Sequence, residues 1–451
     1  MASIKQTNSS LSFRYRLHGG AEEIGGNFIE VEFAGKRIFL DMGMPLTLPE
    51  EGPFSSWEIE KRSTAEIVQA GYLPELPGLY NGTDPSILGI IISHPHKDHF
   101  GFIKRASPKI PIYMGEKTRA IIEATAHFIK DYPTFKENIL HPISDRARFQ
   151  LGPFEITPFA SDHSAFDSYS LLIRVGGKSL FYSGDLRAHG RKGYFFESLL
   201  RDIPRSIDHF LLEGTMMGRP REKRLREVDL ANDFTGLLTS RRGLVLVNTS
   251  AHNIDRLETI YYSAMNAGRT LIMDNYSAYI YTAIGHPFLP GKAPEVRVFF
   301  PVRQCINIKK EATFSTKLTP FMDRRIYADE IAKSPEKYVM LFRDSMLEDF
   351  SDRGRRYIPT KCLAGAKHIY SMWDGYWDEM PRTQAFLREH RIRNVAIHCS
   401  GHAYKQDLKR LLAAAQPQYA VPIHTEKERR KDFKGIYSSV LPVNKGEWQR
   451  I

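Results

Sequence analysis

The sequence predicts an α/β protein, and two observations carry this prediction. The first two hundred residues hold short runs that alternate apolar and polar side chains, separated by glycine-rich turns, and a period of two is typical of strands. From about residue 205, strand-like and helix-like segments alternate, which is the signature of parallel-sheet units. We therefore expect a sheet-rich first region followed by a βαβ region.

The individual elements follow from the same patterns. In the first region the predicted strands are 14–17, 27–33, 37–40, 87–92, 170–175 and 179–183. Gly176 and Gly177 separate the last two strands and predict a tight hairpin. Further along, the predicted order is strand 243–248, helix 255–267, strand 270–273, and then strand 394–398, helix 405–415, strand 419–423. The stretch 301–340 has little periodicity and stays unassigned.

Length and composition indicate an ordinary globular protein. A chain of 451 residues predicts two or three domains. With 42% hydrophobic and 25% charged residues, it is neither collagen-like nor wholly disordered. The apolar runs fall far short of the ~18 residues that a membrane span needs, so we expect no membrane contact.

Location and partner class follow from cysteine use and charge. Residues 1–10 contain no apolar segment of the secretory type, and three scattered cysteines are too few for a disulfide framework, which favours the cytoplasm. The 63 Lys and Arg against 52 Asp and Glu give a net charge of +11. Such an excess favours partners that carry phosphate.

A cluster of metal-binding residue types follows the apolar run 87–92. Its members are His94, His96, Asp98 and His99. Imidazole and carboxylate are natural ligands of zinc, and of manganese where carboxylate and water dominate. On an extended loop His94 and His96 point the same way, while Asp98 and His99 turn toward a neighbouring position. One loop can thus serve two ions.

Other candidates stand at the ends of predicted strands. His163 and Asp185 are joined by the predicted hairpin, and Asp41 ends an earlier strand. A Ser–His–Asp triad with Ser161 or Ser164 as nucleophile is a competing hypothesis. Neither serine lies in a Gly-x-Ser-x-Gly elbow, however, so the metal hypothesis is preferred.

Together these motifs resemble those of the metallo-β-lactamase superfamily, and the turn 19–27 is similar to the opening hairpin of the ribonuclease J group. The resemblance implies an αββα metallo-β-lactamase sandwich interrupted by an inserted β-CASP α/β cap. The expected boundaries are 1–208 for the first part of the sandwich, 209–375 for the cap and 376–451 for the second part.

The resemblance also implies a role for each candidate. One ion is expected on His94, His96 and His163, and a second on Asp98 and His99. Asp185 is expected to bridge the two ions. Asp41 is expected to lie outside the ligand set and to orient a ligand imidazole. We expect two divalent ions, Zn²⁺ in preference to Mn²⁺. Two ions roughly 3.5–4 Å apart lower the pKa of a shared water and clamp the attacking and leaving oxygens of a phosphoester.

Two late histidine motifs resemble those of the β-CASP nucleases. They are His398-Cys-Ser400-Gly-His402 and Pro-Ile-His424-Thr-Glu. The resemblance implies that His424 completes the second ion's ligands and that His402 donates a proton or stabilises charge beside the scissile phosphate. His398 and Ser400, with His402, are expected to bind a substrate phosphate.

An acidic motif of the same branch supplies Glu213, although Gly214 follows it where the branch often has serine. The residues expected to take part in catalysis are Asp98, Asp185, Glu213 and His402. The predicted reaction is hydrolysis of single-stranded RNA by a metal-activated water, from the 5′ end or internally. RNA is preferred to DNA because the branch acting on RNA tends to have histidine at the position of His424.

Basic stretches at 219–226 and 427–434 are predicted either to face a polyanion or to be solvated helix faces, since each also holds acidic residues. Two other classes of function stay open. One is a small-molecule metallohydrolase that acts on an ester, thioester or cyclic nucleotide, with the cap as a lid. The other is a catalytically silent RNA-binding scaffold. A homodimer is kept as an assembly to test.

Overall fold

The computed structural model describes residues 12–48, 52–53, 56–219, 226–240, 243–285, 296–309 and 315–451. The predictions for residues 1–10 and for Arg221, Lys223 and Arg224 lie outside these ranges. The chain divides into two compact units. The first comprises 1–123, 131–221 and 401–451, and the second comprises 124–130 and 222–400.

The strands are numbered here in chain order. Before the second unit's sheet come β1 (Arg14–Gly19), β2 (Phe28–Phe33), β3 (Lys36–Leu40), β4 (Thr47–Leu48), β5 (Gly52–Pro53), β6 (Ile87–Ile91), β7 (Ile112–Gly115), β8 (Leu140–Ile143), β9 (Phe149–Leu151), β10 (Phe154–Ser161), β11 (Ser168–Val175), β12 (Lys178–Tyr182) and β13 (His209–Glu213). The second unit contains β14 (Val245–Asn248), β15 (Thr270–Asp274), β16 (Val296–Phe299), β17 (Tyr338–Phe342), β18 (Lys367–Tyr370) and β19 (Arg393–Ala396). The chain ends with β20 (Tyr419–Ile423) and β21 (Trp448–Arg450).

The α-helices are α1 (Ser56–Lys61), α2 (Thr64–Gln69), α3 (Pro77–Asn81), α4 (Lys97–Phe100), α5 (Glu116–Ala126), α6 (Gly193–Asp202), α7 (Glu227–Leu238), α8 (Ile254–Asn266), α9 (Asn275–Ala283), α10 (Val302–Lys309), α11 (Ala328–Lys333), α12 (Pro381–Glu389) and α13 (Lys405–Ala415). The longer 3₁₀ helices are Ser315–Arg324 and Lys427–Gly435. Among the residues described, no helix combines the length and apolarity needed to cross a membrane.

Two sheets face each other in the first unit. One has the strand order β21-β1-β2-β3-β6-β7-β8 and the other β20-β13-β12-β11-β10-β9. Leu17 and Ile38 of the first sheet share a buried apolar cluster with Leu171 and Leu180 of the second. Alternation along the strands sends one set of side chains into this shared core and the other set outward.

Helices cover the outer faces of both sheets. Phe39 of the first sheet packs in one cluster with Ile67 of α2. On the second sheet Phe181 packs with Leu199 of α6 and Leu411 of α13. The layers are therefore helix, sheet, sheet, helix, and the predicted αββα sandwich is confirmed.

The second unit is built on a parallel sheet with the order β16-β15-β17-β14-β18-β19. Leu246 and Met340 of this sheet pack with Ile331 of α11 and Phe386 of α12. The stretch 301–340, which has no clear period, contains α10, α11 and the 3₁₀ helix Ser315–Arg324. Helices this short have too few turns for a helical periodicity to be recognised in the sequence.

The hairpin predicted at Gly176 and Gly177 is confirmed. β11 and β12 pair antiparallel around it, and the two glycines have φ angles of 58° and 76°. Positive φ at both central residues is the geometry that suits the twist of the flanking strands, and glycine adopts it without steric cost.

The unit boundaries differ from the expected 208/209 and 375/376. β13 pairs in parallel with β12 and β20, so the chain stays in the first unit beyond residue 209. β19 pairs with β18, so the strand expected to open the returning part belongs to the second unit. The chain returns to the first unit at Gly401. Strand pairing decides the boundary, and it is not visible in a local pattern.

The topology brings the carboxyl ends of several strands to one edge of each sheet. β3 runs parallel to β6, and β12 runs parallel to β13 and β20. β10 runs in the same direction as β12 because both are antiparallel to β11. The loops after these strands are where functional side chains are expected to collect.

Candidate metal centre

The first group of candidate ligands combines three imidazoles with one carboxylate. Ligand atoms of His94, His96, His163 and Asp185 all lie within 4.8 Å of one another. His163 Nε2 is 3.1 Å from His96 Nδ1, and Asp185 Oδ2 is 3.5 Å from His94 Nε2. Residues from three separate loops therefore converge on one point.

A second group shares Asp185 with the first. Its members are Asp98, His99, Asp185 and His424, again with ligand atoms within 4.8 Å. His424 Nε2 lies 3.1 Å from Asp98 Oδ2, and His99 Nε2 lies 3.2 Å from Asp185 Oδ2. Asp185 Oδ1 is 3.7 Å from His424 Nε2, so the two oxygens of this carboxylate face different neighbours.

Glu213, His402 and His424 form a third group that meets the second at His424. His402 Nδ1 lies 3.5 Å from Glu213 Oε1 and 3.7 Å from Asp185 Oδ2. The Ala403 N–H donates to Glu213 Oε1 at 3.2 Å, which ties the loop of His402 to the end of β13. Gly214 leaves room for the Phe433 ring, because a Cβ there would lie 2.6 Å from its Cζ atom.

Each of four candidate imidazoles has a partner on the nitrogen that points away from the cluster. These contacts are His94 Nδ1 to Ser93 Oγ at 3.0 Å, His99 Nδ1 to Asp41 Oδ2 at 2.7 Å, His163 Nδ1 to the Gly401 carbonyl at 2.6 Å, and His424 Nδ1 to Thr215 Oγ1 at 2.8 Å. A carbonyl or carboxylate only accepts, so Nδ1 of His99 and of His163 carries the proton and Nε2 offers its lone pair to the cluster.

Asp41 lies outside the ligand groups, where the resemblance implies it. It also accepts from the backbone N–H and the hydroxyl of Ser93, both at 2.7 Å, and from the hydroxyl of Tyr182. The roles of Ser93 and Thr215 are not apparent from the sequence. The only signal is that each hydroxyl residue lies within two positions of a motif residue, Ser93 beside His94 and Thr215 two residues after Glu213.

The buried polar atoms of the candidate ligands show whether these residues fit a divalent cation. His94 Nε2 and Asp185 Oδ1 are buried and have no hydrogen-bond partner among the described residues. Leaving such atoms unpaired in a protein interior costs free energy. A cation between them would supply the missing interaction, so the donor set fits a metal.

Burial and charge shift the pKa values of the cluster. Burial lowers the pKa of His96 to about 4 and those of His94 and His163 well below the ordinary value. Burial also opposes protonation of His99, but the carboxylates of Asp185, Asp98 and Asp41 outweigh it and raise its pKa. Neutral imidazole is the form that binds metals, so the first group is electrostatically prepared for that role.

Two site residues have unusual backbone conformations. Asp41 has a φ of 59° and His424 a φ of 48°, both in the left-handed region that non-glycine residues rarely adopt. Such strain persists only where surrounding contacts enforce it. The His424 N–H donates to the Gly20 carbonyl at 2.7 Å, and the Asp41 N–H donates to the Ile91 carbonyl at 2.8 Å.

The competing triad is not formed with Ser161 as nucleophile, and with Ser164 it stays a prediction. Ser161 Oγ lies 2.9 Å from Ser170 Oγ, and Nδ1 of His163 is engaged by the Gly401 carbonyl.

The three residues expected to bind phosphate fall in different units. His398 and Ser400 belong to the second unit, and His402 belongs to the first. Ser400 is buried and His398 is half-buried. Their joint role stays a prediction.

An exposed basic segment follows His424. The cations of the 3₁₀ helix Lys427–Gly435 that face solvent are Lys427, Arg429, Lys431 and Lys434. Of these, Lys427 lies 3.3 Å from Glu22 and Arg429 lies 3.8 Å from Glu426. The partial pairing leaves a mixed surface with an excess of positive charge.

Two parts of the chain match known protein families. Residues 63–224 match the family model of the β-lactamase superfamily domain, and residues 390–435 match that of the Zn-dependent metallo-hydrolase RNA specificity domain. The second match includes His402 and His424, and the first includes the other members of the candidate ligand groups.

Similar proteins cover most of the chain. Ribonuclease J of Mycoplasma genitalium is 21% identical over an alignment of 445 positions, which covers 93% of this chain and 68% of that protein. Ribonuclease J of Pyrococcus abyssi is 22% identical over 424 residues, covering 90% of this chain and 88% of that protein. A crystal structure of a protein of unknown function from Enterococcus faecalis V583 superposes with a TM-score of 0.76 at 21% identity, covering 98% of this chain and 100% of that one. The structural likeness concerns the fold.

Proposed function

Because the chain belongs to the β-lactamase superfamily of metallo-hydrolases, we propose that it is a metal-dependent ribonuclease that hydrolyses phosphodiester bonds of single-stranded RNA. The observation that carries the proposal is the sharing of Asp185 by two groups of candidate ligands. The match to an RNA specificity domain, and relatives that bear the name ribonuclease J, support RNA as the substrate.

The two groups fit two divalent ions. His94, His96 and His163 would hold one, Asp98, His99 and His424 the other, with Asp185 between them. When bound, the ions supply a water of lowered pKa and neutralise charge on the reacting phosphate. Imidazole-rich ligation favours Zn²⁺ over Mn²⁺, and the RNA specificity family is described as Zn-dependent.

Side chains other than the ligands proposed for the two ions complete the chemistry. His402 stands between Glu213 and Asp185, so it is placed to give a proton to the leaving oxygen while Glu213 holds its ring. Asp41 and the Gly401 carbonyl fix the rings of His99 and His163 and so keep the ligand atoms aimed at the ions. We assign the binding of a substrate phosphate to His398 and Ser400 with His402.

We also propose a cytoplasmic location. The three scattered cysteines Cys305, Cys362 and Cys399 are too few for a disulfide framework, which suits a reducing compartment. DNA is expected to be the poorer substrate. Whether the protein is a homodimer can be measured by light scattering.

The experiment that tests the function uses one RNA sequence with a 5′-monophosphate, a 5′-triphosphate or a 5′-hydroxyl, labelled at either end. The metal-stripped protein is assayed with Zn²⁺, with Mn²⁺ and with chelator. We expect metal-dependent cleavage of RNA and little cleavage of DNA of the same sequence. Release of mononucleotides from the 5′ end indicates exonuclease action, and internal fragments indicate endonuclease action.

Two results would contradict the proposal. Turnover of a small ester or cyclic nucleotide, with RNA neither bound nor cut, would indicate the small-molecule hydrolase. RNA binding without cleavage under any metal, combined with no bound ion by elemental analysis, would indicate the silent scaffold.

A further inference from the structure

A buried ion pair links two of the loops that carry candidate ligands. Asp162 directly precedes His163 after β10, and Arg187 follows Asp185 by two residues after β12. The side chains of Asp162 and Arg187 are both fully buried, and Arg187 Nε donates to Asp162 Oδ1 at 3.3 Å. Neither residue belongs to a group of candidate metal ligands.

Backbone contacts reinforce the link. The Arg187 N–H donates to the Asp162 carbonyl at 2.6 Å, and the Gly190 N–H donates to Asp162 Oδ2 at 2.7 Å. A Cβ on Gly190 would lie 2.3 Å from Arg187 Nη2 and 2.4 Å from Asp162 Oδ1. The chain therefore closes over the pair at a distance that only glycine permits.

The sheet does not bring these two loops together by itself. β11 lies between β10 and β12, and strands separated by one neighbour are roughly 9.6 Å apart. Yet His163 Nε2 lies 3.7 Å from Asp185 Oδ2. The two side chains span this spacing only if each loop directs its residue toward the other, and the contact of Asp162 with Arg187 ties the two loops together beside them.

Global stability does not account for the pair. Removing two charges from water is costly, and apolar replacements of buried ion pairs are often neutral or stabilising. Local geometry is the better explanation, because rigid neighbours of a metal ligand set its position and orientation.

We propose that Asp162 and Arg187 are positioning residues that hold His163 and Asp185 at the spacing needed to bind a metal together. This inference rests on the proposed function for its catalytic consequence, but its direct consequence is metal affinity. It therefore has a readout that does not require cleavage of RNA.

The test compares two double variants that each replace a buried ion pair without leaving an unpaired charge. One is Asp162→Asn with Arg187→Met. The matched control is Glu227→Gln with Arg256→Met, since Arg256 Nε and Glu227 Oε1 lie 2.7 Å apart in an equally buried pair of the second unit. For each full-length protein, Zn²⁺ affinity is measured by competition with a chromophoric chelator, and folding by circular dichroism.

We expect the Asp162 and Arg187 variant to lose about 10–100-fold in Zn²⁺ affinity while the control keeps the wild-type value. Wild-type affinity in the first variant would overturn the proposal, and so would an equal loss in the control. If the first variant does not fold, Arg187→Lys takes its place. It keeps the charge but loses the fork of donors, and wild-type affinity there would also overturn the proposal.

The outcomes separate this inference from the proposed function. If the wild-type protein cuts RNA and the variant binds Zn²⁺ with wild-type affinity, only the positioning role is contradicted. If the wild-type protein does not cut RNA but the variant shows the expected loss of Zn²⁺ affinity, the proposed ribonuclease function is contradicted and the positioning role is supported.

Discussion

Asp41 Oδ2 accepts the Nδ1 proton of His99 at 2.7 Å inside the first unit, where both side chains are fully buried. The two residues come from the loops after neighbouring parallel strands, β3 and β6. The hydrogen bond fixes the tautomer of His99 and aims Nε2 at Asp185, 3.2 Å away. A carboxylate outside the proposed ligand groups is thus placed to influence metal binding through His99.

Replacing Asp41 is expected to weaken metal binding. Asp41→Asn puts an amide where a carboxylate accepts from His99, so we expect a loss of about 10–100-fold in metal affinity, measured by competition with a chelator. Tyr182→Phe is the comparison variant. It removes a hydrogen bond to Asp41 and a longer contact with His99 Nδ1 at 3.4 Å but keeps the carboxylate that fixes the ring, so a smaller loss is expected. Equal affinities in Asp41→Asn and the wild type would show that the ring needs no carboxylate.

Asp185→Ala is expected to abolish hydrolysis while the protein stays folded. Loss of the shared carboxylate removes several kcal/mol of transition-state stabilisation, on the order of 10³-fold or more in rate. Asp208→Asn serves as control, since Asp208 precedes β13 at the opposite end of the strand and pairs with Lys178. Full ribonuclease activity in folded Asp185→Ala protein would refute the mechanism.

His402→Ala is expected to lower kcat by about 10²–10⁴-fold through loss of the proton donor. The first ligand group does not include His402, so at least one ion should stay bound, as elemental analysis can show. Glu213→Gln should lower the rate in the same direction, and the double variant should be no worse than His402→Ala alone, because the two act as a unit. Additive losses would indicate separate roles.

Glu30 provides a prediction on stability and pH. Burial disfavours its charge, but hydrogen bonds from His18, Arg16 and Arg37 outweigh burial and lower its pKa from 4.5 to about 2. A carboxyl whose pKa is lowered by folding stabilises the fold above its unfolded pKa, and this contribution is lost as the pH falls from about 4.5 toward about 2. Glu30→Gln should therefore lower the free energy of unfolding by about 3 kcal/mol at pH 7, and by less at pH 3.

Urea unfolding at the two pH values measures this difference. The control is Glu155→Gln, whose surface pairs with Arg148 and Arg174 are expected to contribute less than about 1 kcal/mol. A gap between Glu30→Gln and the wild type that does not change with pH would contradict the assignment.

Features of this chain that depend on neighbouring residues could be predicted from the sequence, and those that depend on tertiary packing could not. The loop from His94 to His99 and the hairpin at Gly176 and Gly177 could be predicted, because each depends on residues that are neighbours in the chain. The strands predicted in the sandwich agree with β1, β2, β3, β6, β11, β12 and β20 to within a few residues for the same reason, whereas β7, β8, β9 and β21 were not predicted. The stretch 301–340 could not be predicted, because its short helices depend on tertiary packing.

The sequence by itself predicted the αββα class, through motifs that resemble those of a known superfamily, and it named candidate metal ligands that the fold brings within 4.8 Å of one another. Only the tertiary structure decided where the second unit ends, because β19 joins the parallel sheet by pairing with β18. It also decided how the ligands are held. The contacts that hold the candidate ligands depend on which segments meet in the fold and on the direction of each side chain. These contacts come from Ser93, Thr215, Gly401 and the buried pair of Asp162 and Arg187. Such features cannot be recognised from composition or from the periodicity of the sequence.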